Sequence, residues 1–303
     1  MLGAPVLRLG VDIGGTKTAI TVLGSGDSER LARRAATPAG TYETAVARLV
    51  EMILAAERDA GSPCSVGIGI PGAVSPGNGL VKNASNTVFN GGPLRTDLAR
   101  LLGRDVRIAN DANCFALSEA TDGAARGAHT VFGAILGTGV GGGIIVDGRV
   151  VEGRNQIGGE WGHNPLPWMS PDEFPGPRCY CGRQGCIEQF VSAPALARDY
   201  AASTGLMLDP IGIAAGAARG DAACEAALQR CEDRLARALG SVLNFLDPDV
   251  IVLGGGLSNL DRLYSSVPLL LPRYVYSDTV ETPIVRAAHG DASGMRGAAM
   301  LWP

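Results

Sequence analysis

One pattern occurs twice in this chain and restricts what it can become. "VLRLGVDIGGTKTAITVLG" near the start and "HTVFGAILGTGVGGGIIVDGR" near the middle each run strand, glycine turn, strand. Alternating helices and strands follow each copy, so the expected architecture is a duplicated α/β fold. After the first copy, "TYETAVARLVEMILAAERDAG" places Tyr42, Val46, Leu49, Val50, Ile53 and Leu54 at helical spacing and stops at Gly61 and Pro63. "SVGIGIPG" is a buried strand, the polar stretch 73–92 suits a cleft wall, and "DVRIAND" is a strand running into the helix "ANCFALSEA". The second copy ends on Asp147-Gly148, a favoured hairpin turn. An irregular insert at 154–192, rich in Gly, Pro and Cys, precedes a long helix. On that helix Cys224, Leu228, Cys231, Leu235, Leu239, Val242 and Leu246 share a face. "DVIVLGGGLS" is a third strand ending in glycines, and "DASGMRGAAMLW" suits a closing helix. The expected division is an N-terminal lobe, 1–117, joined by the C-terminal helix at 291–303, and a second lobe, 118–290, that carries the insert.

The glycine turns raise the question of phosphate. Asp12, Gly14, Gly15, Thr16 and Lys17 lie at the first turn. Glycine lets backbone amides approach phosphate oxygens, Thr16 offers a hydroxyl, Lys17 a charge, and Asp12 could hold hydrated Mg²⁺. Alone, this motif is equally well an ordinary hairpin. "GTGVGGG", from Gly137 to Gly143, contains G-x-G-x-x-G, but strand and not helix follows, so the dinucleotide reading fails its context. A second phosphate loop remains. Gly254, Gly255 and Gly256, at a strand end, suit the adenosine side. Three such turns in a duplicated chain indicate a nucleotide cleft between two lobes.

"IANDAN" sets Asn110 and Asp111 where a strand gives way to a helix, the usual ligand edge of an α/β sheet. Asp111 is either a helix cap or the base that phosphoryl transfer requires to orient and deprotonate an acceptor hydroxyl. The helix N-terminus favours an ionised carboxylate, and the phosphate loops favour the base.

Cys179, Cys181 and Cys186 in "CYCGRQGC", with His163 of "GGEWGH", form a Cys₃His set suited to a closed tetrahedral Zn²⁺ site. A redox pair would prefer C-x-x-C, and a cubane cluster needs a fourth nearby cysteine. Cys64, Cys114, Cys224 and Cys231 have the sequence context of packing residues. Beside the metal set, Glu160 and Glu188 would be pinned as acceptors for sugar hydroxyls, with the second ring nitrogen of His163 joining them.

Seven cysteines, an odd number, argue against a disulfide framework. Net charge is −4 with no basic run, which makes nucleic acid and anionic membranes poor partners. No apolar run approaches the ~20 residues that span a bilayer. A cytoplasmic protein is expected.

Together "DIGGTK", "NDANCFALSEA", "LGTGVGGG", "GEWGH" and "CYCGRQGCIE" resemble the ROK family (repressors, open reading frames, kinases), from about Leu9 to the C-terminal "HGDASGMRGAAMLWP". The resemblance implies an actin-like ATPase (ribonuclease H-like) fold and an ATP-dependent hexose kinase. It implies ATP and Mg²⁺ held by Gly10, Val11, Asp12, Ile13, Gly14, Gly15, Thr16 and Lys17, and by Gly137, Thr138, Gly139, Val140, Gly141, Gly142, Gly143 and Ile144. It further implies Asp111 as base, structural zinc on His163, Cys179, Cys181 and Cys186, and sugar contacts from Asn110, Asp111, Glu160, His163 and Glu188. A homodimer is implied too. "GLVKNASN", "EWGHNPLPWM" and "LSNLDRLY" look most like fructokinases that also accept mannose, with N-acetylglucosamine kinases a close second and glucokinase a further alternative. A ROK repressor would carry an N-terminal helix-turn-helix, and none is expected here.

Overall fold

The computed structural model describes residues 7–84 and 87–303, so Ser85 and Asn86 of "GLVKNASN" lie outside the described residues. The first half runs β1 (Arg8–Ile13), β2 (Lys17–Leu23), β3 (Glu29–Ala36), α1 (Tyr42–Ala60), β4 (Ser65–Ile70), β5 (Ala73–Val74), β6 (Val81–Lys82), α2 (Leu94–Leu102), β7 (Val106–Asn110) and α3 (Asp111–Thr121). Its five-stranded sheet has the order β3-β2-β1-β4-β7. The hairpin strands pair antiparallel, while β4 and β7 add in parallel. Leu9, Val11 and Ile13 of β1 and Val66 and Ile68 of β4 are fully buried, as central strands covered on both faces must be. β3, "ERLARRAA", is the charged and exposed edge, a composition that discourages pairing with other strands.

α1 starts on a Thr41–Thr44 capping box and ends at Gly61, whose left-handed φ of 77° few other residues adopt at low cost. Leu49 and Ile53 are fully buried, but Leu54 is 38% exposed. It lies one 100° step beyond Ile53 and so falls off the buried stripe. The polar stretch after β4 forms a two-stranded hairpin of β5 and β6.

The second half runs β8 (Thr130–Leu136), β9 (Val140–Val146), β10 (Arg149–Val150), α4 (Glu188–Val191), α5 (Ala193–Thr204), α6 (Pro210–Ala218), α7 (Ala222–Leu246), β11 (Val250–Gly254), α8 (Leu263–Leu270), β12 (Ile284–Arg286) and α9 (Ser293–Ala299). Its sheet order is β10-β9-β8-β11-β12. Counting only the strands of each five-stranded sheet, both read 3-2-1-4-5, so the duplication seen in the sequence is a duplication of topology, with the β5–β6 hairpin added to the first half. Asp147 and Gly148 both have positive φ, as a tight hairpin requires. On α7 the buried stripe runs from Cys224 through Leu239 to Leu243; Val242 and Leu246 are only partly buried. All four cysteines outside the insert are buried.

The chain divides into two compact units. Unit 1 holds the described residues up to Gly127, Gly143–Gly159 and Ala288–Pro303; unit 2 holds Ala128–Gly142 and Glu160–Ala287. The segment 143–159, expected in the second lobe, falls in unit 1, where Lys82 Nζ donates to the Asn155 carbonyl at 2.6 Å. In the same unit α9 lies directly on β1: a Cβ on Gly10 would come within 1.9 Å of the Met295 carbonyl oxygen.

In unit 2 the insert is anchored to α7 by charge. Glu173 accepts from Arg234 Nε at 2.8 Å and from Arg237 Nη1 at 2.7 Å, with Asp199 receiving the other arm of Arg234. Burial alone would raise the Glu173 pKa, but hydrogen bonds from Arg237, Arg234 and the Ser170 N–H outweigh it and hold it at about 2. Because the folded value lies below the unfolded one, this stabilisation is complete above pH 4.5 and is lost as pH falls towards 2. Glu173→Gln is therefore expected to cost about 3 kcal/mol at pH 7. In urea unfolding, the difference from wild type should shrink below pH 4.5.

Candidate active site and metal centre

The expected site residues fall into two sets, one on each unit. In unit 1, β7 ends at Asn110 and α3 begins at Asp111. Asn110 is the helix cap: its Oδ1 accepts from the Ala112 N–H at 2.9 Å and the Asn113 N–H at 3.3 Å, while Nδ2 donates to the Gly72 carbonyl at 3.1 Å. Capping thus belongs to Asn110. Asp111 occupies the first helical position, its Oδ1 accepting from the Ala112 N–H at 2.8 Å. There the helix dipole favours a negative carboxylate.

Asp12 is close by. A Cβ placed on Gly69 would sit 3.5 Å from Asp12 Oδ1, 3.7 Å from Asp111 Cα and 3.3 Å from Cys114 Sγ. The Asp12 carboxylate and the Asp111 backbone therefore border a residue with no side chain. Burial pushes Asp12 up to about 6, partly countered by Arg34, and Cys114 is raised by burial and by the charges of Asp12 and Asp111. A carboxylate whose folded pKa exceeds its unfolded value destabilises the fold once pH rises through that window. Asp12→Asn is accordingly expected to stabilise the unliganded protein by up to about 2 kcal/mol at pH 8. Urea midpoints should show that gain vanish below about pH 3, where Asp12 is protonated in both states.

The remainder of the first turn divides sharply. Gly10, Val11 and Ile13, expected among the ATP contacts, are buried in the core, whereas Gly15, Thr16 and Lys17 are exposed. The turn is closed by the Gly14 N–H on the Lys17 carbonyl and by Thr37 Oγ1 on the Gly14 carbonyl. In the second turn Val140, Gly142 and Gly143 are buried, Gly137, Gly139, Gly141 and Ile144 are partly buried, and Thr138 is the exposed tip. Gly254 is buried at the end of β11, and Gly255 and Gly256 are exposed beyond it.

In unit 2 the metal set comes together as expected. One ligand atom from each of His163, Cys179, Cys181 and Cys186 lies within 4.8 Å of every other. Cys179 Sγ to His163 Nδ1 is 3.5 Å, and Cys181 Sγ to Cys186 Sγ is 3.6 Å. Tetrahedral bonds of about 2.0–2.3 Å give ligand separations of roughly 3.5–3.8 Å, so the donor set fits a divalent cation. Its electrostatics point the same way. Burial, then the neighbouring thiols, push Cys186 up to about 12, and burial raises Cys179 as well. Three sulfurs this close resist carrying charge together unless a cation is present.

Nδ1 being the ligand atom, Nε2 of His163 faces the other way and lies 2.9 Å from the Tyr180 hydroxyl, with the two rings edge to face. Tyr180 is a residue the sequence reading passed over. Its signal was its place between two ligand cysteines. Burial and then the charges of Glu188, Cys179 and Glu160 raise its pKa, which puts its hydroxyl in the field of both expected sugar carboxylates. Glu160 is partly buried, just before the short turn Trp161–His163. Glu188, expected as a sugar-facing acceptor, is only 6% exposed, and its Oε2 accepts from the Val140 N–H at 3.0 Å.

Residues 8–303 match the model of the ROK family. The chain belongs to the ROK family. The N-acetyl-D-glucosamine kinase of Escherichia coli O127:H6 (strain E2348/69 / EPEC) is 43% identical to this ROK chain over 296 residues, covering 96% of the chain and 98% of that protein. The solved ROK hexokinase of Thermus thermophilus superposes with a TM-score of 0.86 at 31% identity, over 97% of both chains. A ROK-family glucokinase from Streptomyces griseus, solved with glucose and AMPPNP, gives 0.80 at 30% identity over 97% and 98%. The fold is thus the two-lobe, actin-like ATPase type expected from the sequence. Fructose, placed first in the sequence reading, gains no support from these relatives' names; N-acetylglucosamine, placed second, does. No helix among the described residues is long and apolar enough to cross a membrane.

Proposed function

We propose that this ROK-family sugar kinase transfers the γ-phosphoryl group of ATP to the 6-hydroxyl of a hexose. The observation that carries the reading is Asp111, relieved of capping by Asn110 and set at a helix N-terminus beside Asp12. Asp111 accepts the hydroxyl proton as oxygen attacks phosphorus in line; the P–O bond to ADP breaks as the new one forms. Asp12 would hold hydrated Mg²⁺, which neutralises charge on the phosphates, and the turns Gly14–Lys17 and Gly137–Gly139, exposed at Gly15, Thr16, Lys17 and Thr138, would donate amides to them. The sugar contacts implied by the resemblance would be Asn110 and Asp111 on unit 1 and Glu160, His163 and Glu188 on unit 2, with Glu188 already giving Oε2 to the Val140 N–H and His163 Nε2 paired with the Tyr180 hydroxyl. The Cys₃His set would hold a structural zinc ion that keeps the insert in shape.

Fructose is the first substrate proposed, on the resemblance of "EWGHNPLPWM" and "LSNLDRLY" to fructokinases. N-acetylglucosamine is the second reading, favoured by the relatives at 43% identity. The test is ADP release with ATP–Mg²⁺ and fructose, mannose, glucose, N-acetylglucosamine and N-acetylmannosamine. The highest kcat/KM is expected with fructose. Preference for an N-acetyl sugar would overturn the substrate and keep the base; silence across the panel would overturn the kinase. A homodimer is proposed as the assembly, to be checked by light scattering.

A further inference from the structure

The metal-pinned insert grips the second glycine turn from both of its flanks. Two residues before His163, the buried Trp161 donates from Nε1 to the Gly141 carbonyl at 2.8 Å. Two residues after Cys186, Glu188 accepts the neighbouring Val140 N–H at 3.0 Å. Neither contact has slack. A Cβ on Gly162 would fall 2.0 Å from the Val140 carbonyl oxygen, and one on Gly139 would fall 2.7 Å from Glu188 Oε2. The two peptide groups that shape the turn just after its accessible tip are thus held by side chains whose own positions are set by ligands of one metal centre.

We infer that Glu188 and Trp161 are positioning residues for nucleotide phosphate, and that the metal centre governs nucleotide affinity through them, independently of any sugar. This rests on the proposed role of Gly137–Gly139 as a phosphate turn. A structural zinc ion that served only the sugar site would have no reason to be wired to Val140 and Gly141. With the wiring, one carboxylate serves twice: Oε2 fixes the turn, while Oε1 points towards Cys179, whose Sγ is 3.9 Å away. Losing an acceptor for a buried N–H leaves that donor unsatisfied, so the turn relaxes to recover a partner, and the amides at its tip move with it.

The test is calorimetric binding of the Mg²⁺ complex of AMPPNP, without sugar, to full-length metal-loaded protein. Glu188→Ala is expected to weaken binding about tenfold. Glu188→Gln keeps an acceptor for the Val140 N–H and should stay within about threefold of wild type. Trp161→Phe keeps the ring and loses the donor, and should weaken binding in the same direction as Glu188→Ala. Wild-type protein stripped of metal by a chelator should be weakened to a similar extent, and restored by Zn²⁺. Should Glu188→Ala fail to fold, Trp161→Phe and the stripped wild type carry the test. Equal affinity in wild type, Trp161→Phe and stripped protein would overturn the inference while leaving the kinase reading standing. Failure of wild type itself to bind the analogue would overturn the phosphate-turn reading and the inference with it.

Discussion

Asp111→Ala is expected to lower kcat for the preferred hexose by about 10²–10⁴-fold, with nucleotide affinity and the melting temperature nearly unchanged. The separation follows from the geometry. Asn110 carries the cap hydrogen bonds of α3, so removing the Asp111 carboxylate leaves the cap in place and costs the helix its dipole interaction, about 0.3–1 kcal/mol, together with the Ala112 N–H contact. Loss of turnover would then report on chemistry and not on folding. Asp111→Asn, similar in shape but unable to take the proton, should be nearly as slow. Rapid turnover by either variant at saturating sugar would remove Asp111 as the base, and Asp12, which borders Gly69 with it, would be the next to test.

The second large effect is expected on metal loss. Chelation, or Cys186→Ser, should abolish sugar phosphorylation and open the segment 178–188 to proteolysis, because the three sulfurs and His163 are brought together from two separate stretches of chain. The structure limits how far that opening spreads. Glu173 remains tied to Arg234 and Arg237, and the Trp168 carbonyl to Arg237, so the insert around 167–174 should stay docked on α7. Limited proteolysis followed by mass spectrometry would distinguish the two regions. Cuts confined to the cysteine loop are expected; cuts throughout 160–190 would mean that the arginine network cannot hold the insert without the ion. Full activity in protein proven free of metal would refute the zinc assignment.

Local chemistry was legible in the sequence. Both hairpins, the capped helices and the Cys₃His set depend on residues close together, or on residue types with few alternative uses. What escaped were partnerships across long separations. Glu188 could be seen to lie beside the metal, but nothing in the sequence said that its oxygen reaches Val140, 48 residues away. Similarly, Gly10, Val11 and Ile13 belong to a motif whose outline suggests ligand contact. Which half of it faces solvent depends on α9, nearly three hundred residues later. Arg230, Arg234 and Arg237 did leave a trace, since a basic stripe at i, i+4 and i+7 whose members Arg234 and Arg237 are largely buried demands acids, and Glu173 and Asp199 supply them. Leu54 and Val242 were misplaced because a helical stripe only approximates the buried face.

The return of α9 to unit 1 has a consequence for how the protein is made. β1 leaves the ribosome well before α9, and the helix that covers Gly10 is translated only after the whole of 160–287. At about 5–20 residues per second that stretch alone takes roughly 6–26 s. For that interval the earliest strands must wait with their backbone groove uncovered, while the later unit has everything it needs to fold. Synthesis order and folding order are therefore expected to be opposite, and the nascent N-terminal half is the part that would call on chaperones.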